Sequence, residues 1–145
     1  MRAATWCGGA ACADATSGVA RAVVVELKQW SDVTLDGDEG LNVLLGNTEK
    51  AHPSRQALDY AELLAEYHSA FTERGTAAES LSYCHGLSPS GRAALRDARF
   101  ADLLAKSPLF AAGEEPDLEL MKRWLAESYR AVAPKKLGAL LSGDE

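Results

Sequence analysis

At 145 residues, 47% hydrophobic and 25% charged, the chain has the size and balance of one globular domain, which excludes disordered, collagenous and other fibrous classes. Its net charge of −6 argues against a self-sufficient nucleic-acid grip, whose affinity rests on Lys and Arg at phosphates, yet suits a metal-assisted site in which carboxylates are needed. No apolar run reaches the roughly 18 residues of a membrane span, residues 1–17 lack the apolar core of a signal peptide, and the odd count of three cysteines reads as free thiols; the expectation is a cytoplasmic chain with no membrane contact.

Residues 1–20 show no hydrophobic period and carry the breakers Gly8-Gly9 and Gly18, so they read as irregular. The first clear element is a strand over 21–29, built on Val23-Val24-Val25 and apolar on both faces, as in a central strand covered on both sides. Residues 32–35 and 41–45 read as a hairpin around the turn cluster at 36–40, closed by Gly46-Asn47-Thr48. His52-Pro53-Ser54 then opens a helix, with proline suited to the first turn and serine to the cap. Ala57, Tyr60, Ala61, Leu64, Tyr67, His68 and Phe71 form its apolar stripe, and Gly75 is placed to end it. His68, on that stripe, reads as a partly buried core histidine. A strand is expected over 79–85, with Cys84 buried. A helical region follows from Ser88-Pro89, broken near Gly91 or Asp97 and stopped by Ser107-Pro108. After a linker at 113–116, an amphipathic helix spans 116–131, and a short helix is expected over 134–141. Strand, hairpin, helix, strand and helices in that order make a mixed α/β (α+β) domain over 21–145.

Two constellations carry chemistry. Glu26 and Lys28 are two residues apart at the end of the valine strand, so they share a face, and a charge there is costly unless it is paired or used. A carboxylate on a strand end can hold a divalent cation beside a phosphodiester, and a neighbouring lysine can orient water or offset developing charge. Gln56 and Tyr60 lie one turn apart on one helix face near its N-terminus; they read either as a cap and a core tyrosine or as polar groups supporting a site. A zinc site from Cys7, Cys12, Cys84 and His85 fits no common spacing, and the acids at 36–39 fail the register of a calcium loop. There is no P-loop, GxSxG or HExxH pattern.

Together, Glu26-x-Lys28 and Gln56-x-x-x-Tyr60 resemble the PD-(D/E)xK nuclease superfamily, in its RecB-like branch. With Val24-Val25-Glu26-Leu27-Lys28-Gln29-Trp30, His52-Pro53-Ser54, Ser82-Tyr83-Cys84-His85 and Ser107-Pro108-Leu109-Phe110, the chain is similar over about residues 21–130 to the nuclease-like N-terminal region of the Schlafen-group-3-type DNA/RNA helicase-ATPases. The resemblance implies a restriction-endonuclease-like mixed sheet flanked by helices. It implies catalytic Glu26, Lys28, Gln56 and Tyr60, and one or two Mg²⁺ or Mn²⁺ ions held by Glu26 and an aspartate from the preceding strand. Its substrate would be DNA or RNA, with a helicase-ATPase as partner in cis or trans.

The pattern is departed from in two places. Asp14 is the only aspartate upstream of Glu26, and Ala15-Thr16-Ser17-Gly18 after it makes a poor strand, so 1–20 is expected to be a truncated or divergent opening of the fold. The ATP-binding loop of the helicase-ATPases is missing from this sequence. Three readings are therefore expected as alternatives: a metal-dependent nuclease, a catalytically silent, nuclease-derived module that binds protein or nucleic acid, or a structural domain whose Glu26 and Lys28 form a salt bridge.

Overall fold

The three consecutive valines form the middle of a strand, β2 (Ala20–Lys28). The structure is a computed structural model that describes residues 12–13, 20–37, 40–73, 77–113, 115–128 and 130–131. A two-residue strand, β1 (Cys12–Ala13), precedes β2 and pairs with it antiparallel, Ala13 facing Ala20. After β2 comes a small antiparallel sheet of β3 (Thr34–Leu35), β4 (Asn42–Leu45) and β5 (Thr48–Ala51). Helices α1 (Pro53–Tyr67) and α2 (Ser69–Thr72) then lead back to β6 (Ala77–Cys84), which pairs in parallel with β2 from Arg21↔Ala77 to Lys28↔Cys84. Parallel neighbours need a crossover, and this one contains the whole antiparallel sheet and α1. Helix α3 (Pro89–Leu95), a 3₁₀ turn at Ala98–Phe100 and α4 (Ala101–Lys106) carry the chain to β7 (Leu109–Ala111), parallel to β6. Helix α5 (Glu115–Ser128) and a strand β8 (Arg130–Ala131) beside β1 close the described chain. The main sheet has the order β7-β6-β2-β1-β8, with β7, β6 and β2 parallel. No helix among the described residues is long and apolar enough to cross a membrane.

Alternation along β2 and β6 sends successive side chains to opposite faces. Val23, Val25 and Leu81 join Phe110 under Met121, Trp124 and Leu125 of α5. Ala22 packs instead with Phe71, Leu64 and Ala78, beneath α1 and α2. A third cluster joins Val33 and Val43 of the small sheet region to Cys84, Leu95, Phe100, Leu103 and Leu109. Phe100 is fully buried there, a burial that contributes about 1.5–3 kcal/mol. Asp117 locks α5 to the sheet edge: it accepts from the Ala111 N–H at 2.7 Å and pairs with Arg96.

Several expectations change. The helix from Pro53 ends at Tyr67, where His68 turns extended as the C-cap; Phe71 belongs to the separate turn α2. His68 is half-buried, its ring edge-on to Phe71. The N-cap is His52, not Ser54: the Ser54 N–H donates to His52 Nδ1 at 3.1 Å. Thr48 begins β5, so Gly46-Asn47 alone forms the turn, with Gly46 at φ +62°. Gly91 lies inside α3, and the break falls at Asp97, which caps the 3₁₀ turn. Ser107-Pro108 does stop α4, but it delivers the chain into β7. Residues 130–131 are strand, not the end of α5. Asp14, Gly75 and the helix expected over 134–141 lie outside the described residues.

Candidate functional site

Glu26 and Lys28 project from the C-terminal end of β2 on the side of the sheet that carries α1, the same parity as Ala22. Glu26 is 2% exposed. Lys28 Nζ lies 2.8 Å from Glu26 Oε1 and 5.4 Å from the centre of the Trp30 ring. The lysine is thus held by a carboxylate on one side and a π face on the other, two interactions that each favour a fixed ammonium. The other carboxylate oxygen, Glu26 Oε2, is buried with no hydrogen-bond partner among the described residues.

The start of α1 is fastened over this strand end. Ser82 pairs with Glu26 in the ladder, and Ser54 Oγ lies 2.9 Å from Ser82 Oγ. His52, fully buried, accepts from the Ser54 N–H through Nδ1 and donates from Nε2 to the Leu95 carbonyl at 2.9 Å. A carbonyl only accepts and an amide N–H only donates, so the ring is the neutral tautomer with its hydrogen on Nε2. Burial pushes the His52 pKa down, partly opposed by the bond to Leu95. Two residues beyond Ser54, Gln56 Oε1 is also buried without a hydrogen-bond partner among the described residues. Gln56 and Tyr60 flank the buried stripe of Ala57 and Ala61, Tyr60 half-buried and about 6 Å further along the helix.

The expected site residues therefore separate into three groups. Glu26 and Lys28 are in contact; Gln56 lies on α1, two residues beyond the serine bonded to Ser82; Tyr60 lies one turn further along that helix. Asp14 is outside the described residues, and its chain neighbour Ala13 pairs with Ala20, at the opposite end of β2 from Glu26. The chain matches no family model, no curated protein and no solved structure.

A buried polar atom left without a partner costs about 1–3 kcal/mol, and more for a charged group. Two such oxygens, from a carboxylate and a side-chain amide, are the hard donors that Mg²⁺ and Mn²⁺ take. They fit a divalent cation in kind. In number, the described residues supply one carboxylate at this place, and no group of three His, Cys, Asp or Glu side chains converges among them.

Trp30 and Ser82 stand in the runs that carry the resemblance, but the sequence gives neither a role and does not reveal the Ser54–Ser82 bond. Trp30 follows Lys28 by two residues and continues its parity, a usable signal; the serine pair depends on the crossover register and has none. Cys84 is buried as expected, beside Lys28 in the ladder. Burial pushes its thiol up to about 12, which leaves it protonated and unreactive at neutral pH.

Proposed function

We infer that this chain is a nuclease-like domain of the PD-(D/E)xK, restriction-endonuclease-like type, acting on phosphodiester bonds of DNA or RNA at the Glu26–Lys28 strand end. One observation supports the reading above the others: Glu26 has one oxygen on Lys28 and the other buried without a hydrogen-bond partner among the described residues, and Gln56 Oε1, on the helix that packs over the sheet, is left in the same state. Stability alone does not account for it, since a buried ion pair is often no better than an apolar pair of equal volume. The order of strand, α1 and parallel strand agrees with the E-x-K strand and Q-x-x-x-Y helix of that superfamily.

In this reading Glu26, through Oε2, and Gln56, through Oε1, would hold a Mg²⁺ or Mn²⁺ ion; Asp14, expected as the second carboxylate, is left out of it, because its chain neighbour Ala13 pairs at the far end of β2. When bound, such an ion would supply Lewis acidity toward the scissile phosphate and its attacking water. Lys28, fixed by Glu26 and Trp30, orients that water and adds positive charge opposite the phosphate. Ser54 and His52 hold α1 in place, so that Gln56 is positioned by a rigid helix start.

The absence of a three-ligand cluster among the described residues favours a second reading, a silent nuclease-derived module that binds nucleic acid or a protein such as a helicase-ATPase. Incubation of labelled single- and double-stranded DNA and RNA with Mg²⁺ or Mn²⁺ separates the two. The nuclease reading expects cleavage by the wild type that chelation abolishes and Glu26→Gln reduces at least a hundredfold. Intact substrate with folded wild-type protein, or equal cleavage by the variant, leaves the silent module.

A further inference from the structure

The carboxyl end of the sheet also carries a groove outside the proposed metal site, opening on the side away from α1. Its volume is about 400 Å³, and it is lined by Leu27, Lys28, Gln29, Tyr83 and His85. A second opening of about 360 Å³ shares Gln29 and His85 and runs on to Trp30. Both fall within the roughly 300–1,000 Å³ of small-ligand sites. They lie at the carboxyl ends of the parallel strands β2 and β6, where open α/β sheets bind their ligands.

The lining is specific in character. Leu27 and Tyr83 are ladder partners and stand side by side. Leu27 is 49% exposed, Tyr83 half-buried and His85 exposed. The walls are stitched together by backbone bonds, His85 N–H to the Lys28 carbonyl at 2.7 Å and Ser88 N–H to the Ser31 carbonyl at 2.9 Å. Gly86, at φ +88°, makes the turn that leaves His85 at the rim. Among the described residues no Asp or Glu lines either opening, although the chain as a whole carries −6. The charge of Lys28 is balanced by Glu26. A groove with no carboxylate, two π-bearing side chains, Tyr83 and His85, and the Gln29 amide suits a flat, hydrogen-bonding ring better than a bare phosphate.

Resting on the hydrolytic reading of the same strand end, we propose that the groove receives an unstacked nucleobase, so that the substrate is single-stranded nucleic acid. A base in a duplex is stacked and paired, and it cannot enter without being extruded. In single strands, stacking on aromatic side chains supplies affinity without a strongly basic surface, which an acidic chain lacks. Lys28 lines the groove and, on the opposite face of the sheet, pairs with Glu26, so the groove and the proposed site meet at the same end of β2.

The test is fluorescence anisotropy with labelled 20-nucleotide oligo-dT and oligo-U and a blunt 20-base-pair duplex, in EDTA so that no cleavage occurs. Single strands are expected to bind at least tenfold more tightly than duplex. Tyr83→Leu and His85→Ala are expected to weaken single-strand binding roughly 5- to 150-fold, the range of a lost stacking partner, while Tyr83→Phe retains it. His85 is exposed, so its variant serves even where Tyr83→Leu is unstable. Equal binding of duplex, unchanged binding by folded His85→Ala and Tyr83→Leu, or no binding of any oligonucleotide overturns the proposal. Single-strand binding without cleavage in Mn²⁺ would sink the hydrolytic reading alone; cleavage that does not distinguish single from double strands would sink this one alone.

Discussion

The two faces of β2 and β6 are made from alternate residues of the same strands, yet they obey different rules. Toward α5, Val23, Val25 and Leu81 meet Phe110, Met121, Trp124 and Leu125, with no charged residue in the cluster. Toward α1, the same strands present Glu26, Lys28, Ser80 and Ser82, and the helix start opposite adds His52 and Ser54. Most of these polar groups are matched: Ser80 donates to Ser107 at 2.8 Å, Ser82 meets Ser54, and His52 spans two backbone groups. The unbonded oxygens of Glu26 and Gln56 are the exceptions. Under α5 the sheet is explained by packing; under α1 it holds polar groups that packing does not require.

The comparison breaks most visibly at Lys28. Lys28→Ala strands the Glu26 carboxylate in the interior and is expected to cost about 3–5 kcal/mol in urea unfolding, whereas Glu26→Gln with Lys28→Met is expected to restore wild-type stability or exceed it. If the single variant unfolds at the wild-type midpoint, the pair is not buried as described. On the apolar face no such rescue exists. Leu81→Ala, at a fully buried position, is expected to cost about 2–5 kcal/mol, and a loss under about 1 kcal/mol would mean that α5 does not cover the sheet. The smallest effect belongs to His52. Its pKa is lowered by folding, so its contribution is complete above the ordinary histidine value of about 6.5 and declines as pH falls below it, when the unfolded chain takes up a proton that the native one refuses. The expected slope is at most about 1.4 kcal/mol per pH unit between pH 6.5 and 5; a flat midpoint over that range would contradict the buried, neutral ring.

Much of this contrast is legible in residue order. Three β-branched residues in a row mark β2, and a period of two puts Glu26 and Lys28 on one face of it. The strand at β6 is equally plain, and the stripe on α1 is so in its first turns; Tyr67, expected on it, is 73% exposed, and Phe71 belongs to α2. The elements that residue order hides have weak local signals. Thr48-Glu49-Lys50 is a polar, exposed edge strand without alternation. Leu109-Phe110-Ala111 is a buried strand only three residues long, directly after a proline that reads as a stop. Ser54 reads as a cap, because a serine beside a proline at a helix start usually is one; its bond to Ser82 is set by the register of β2 against β6, which is a tertiary property. The cation–π contact of Lys28 with Trp30 similarly depends on how the chain leaves the sheet.

Whether the free oxygen of Glu26 belongs to a divalent-cation site is decided by Mn²⁺ titration, followed by the electron paramagnetic resonance of the unbound ion. Saturable binding of one or two Mn²⁺ per wild-type chain is expected, weakened at least tenfold in Glu26→Gln and measurably in Gln56→Leu, with both variants folded by circular dichroism. Wild-type protein that leaves the free Mn²⁺ signal unchanged, or a Glu26→Gln variant that binds as well as the wild type, would contradict it.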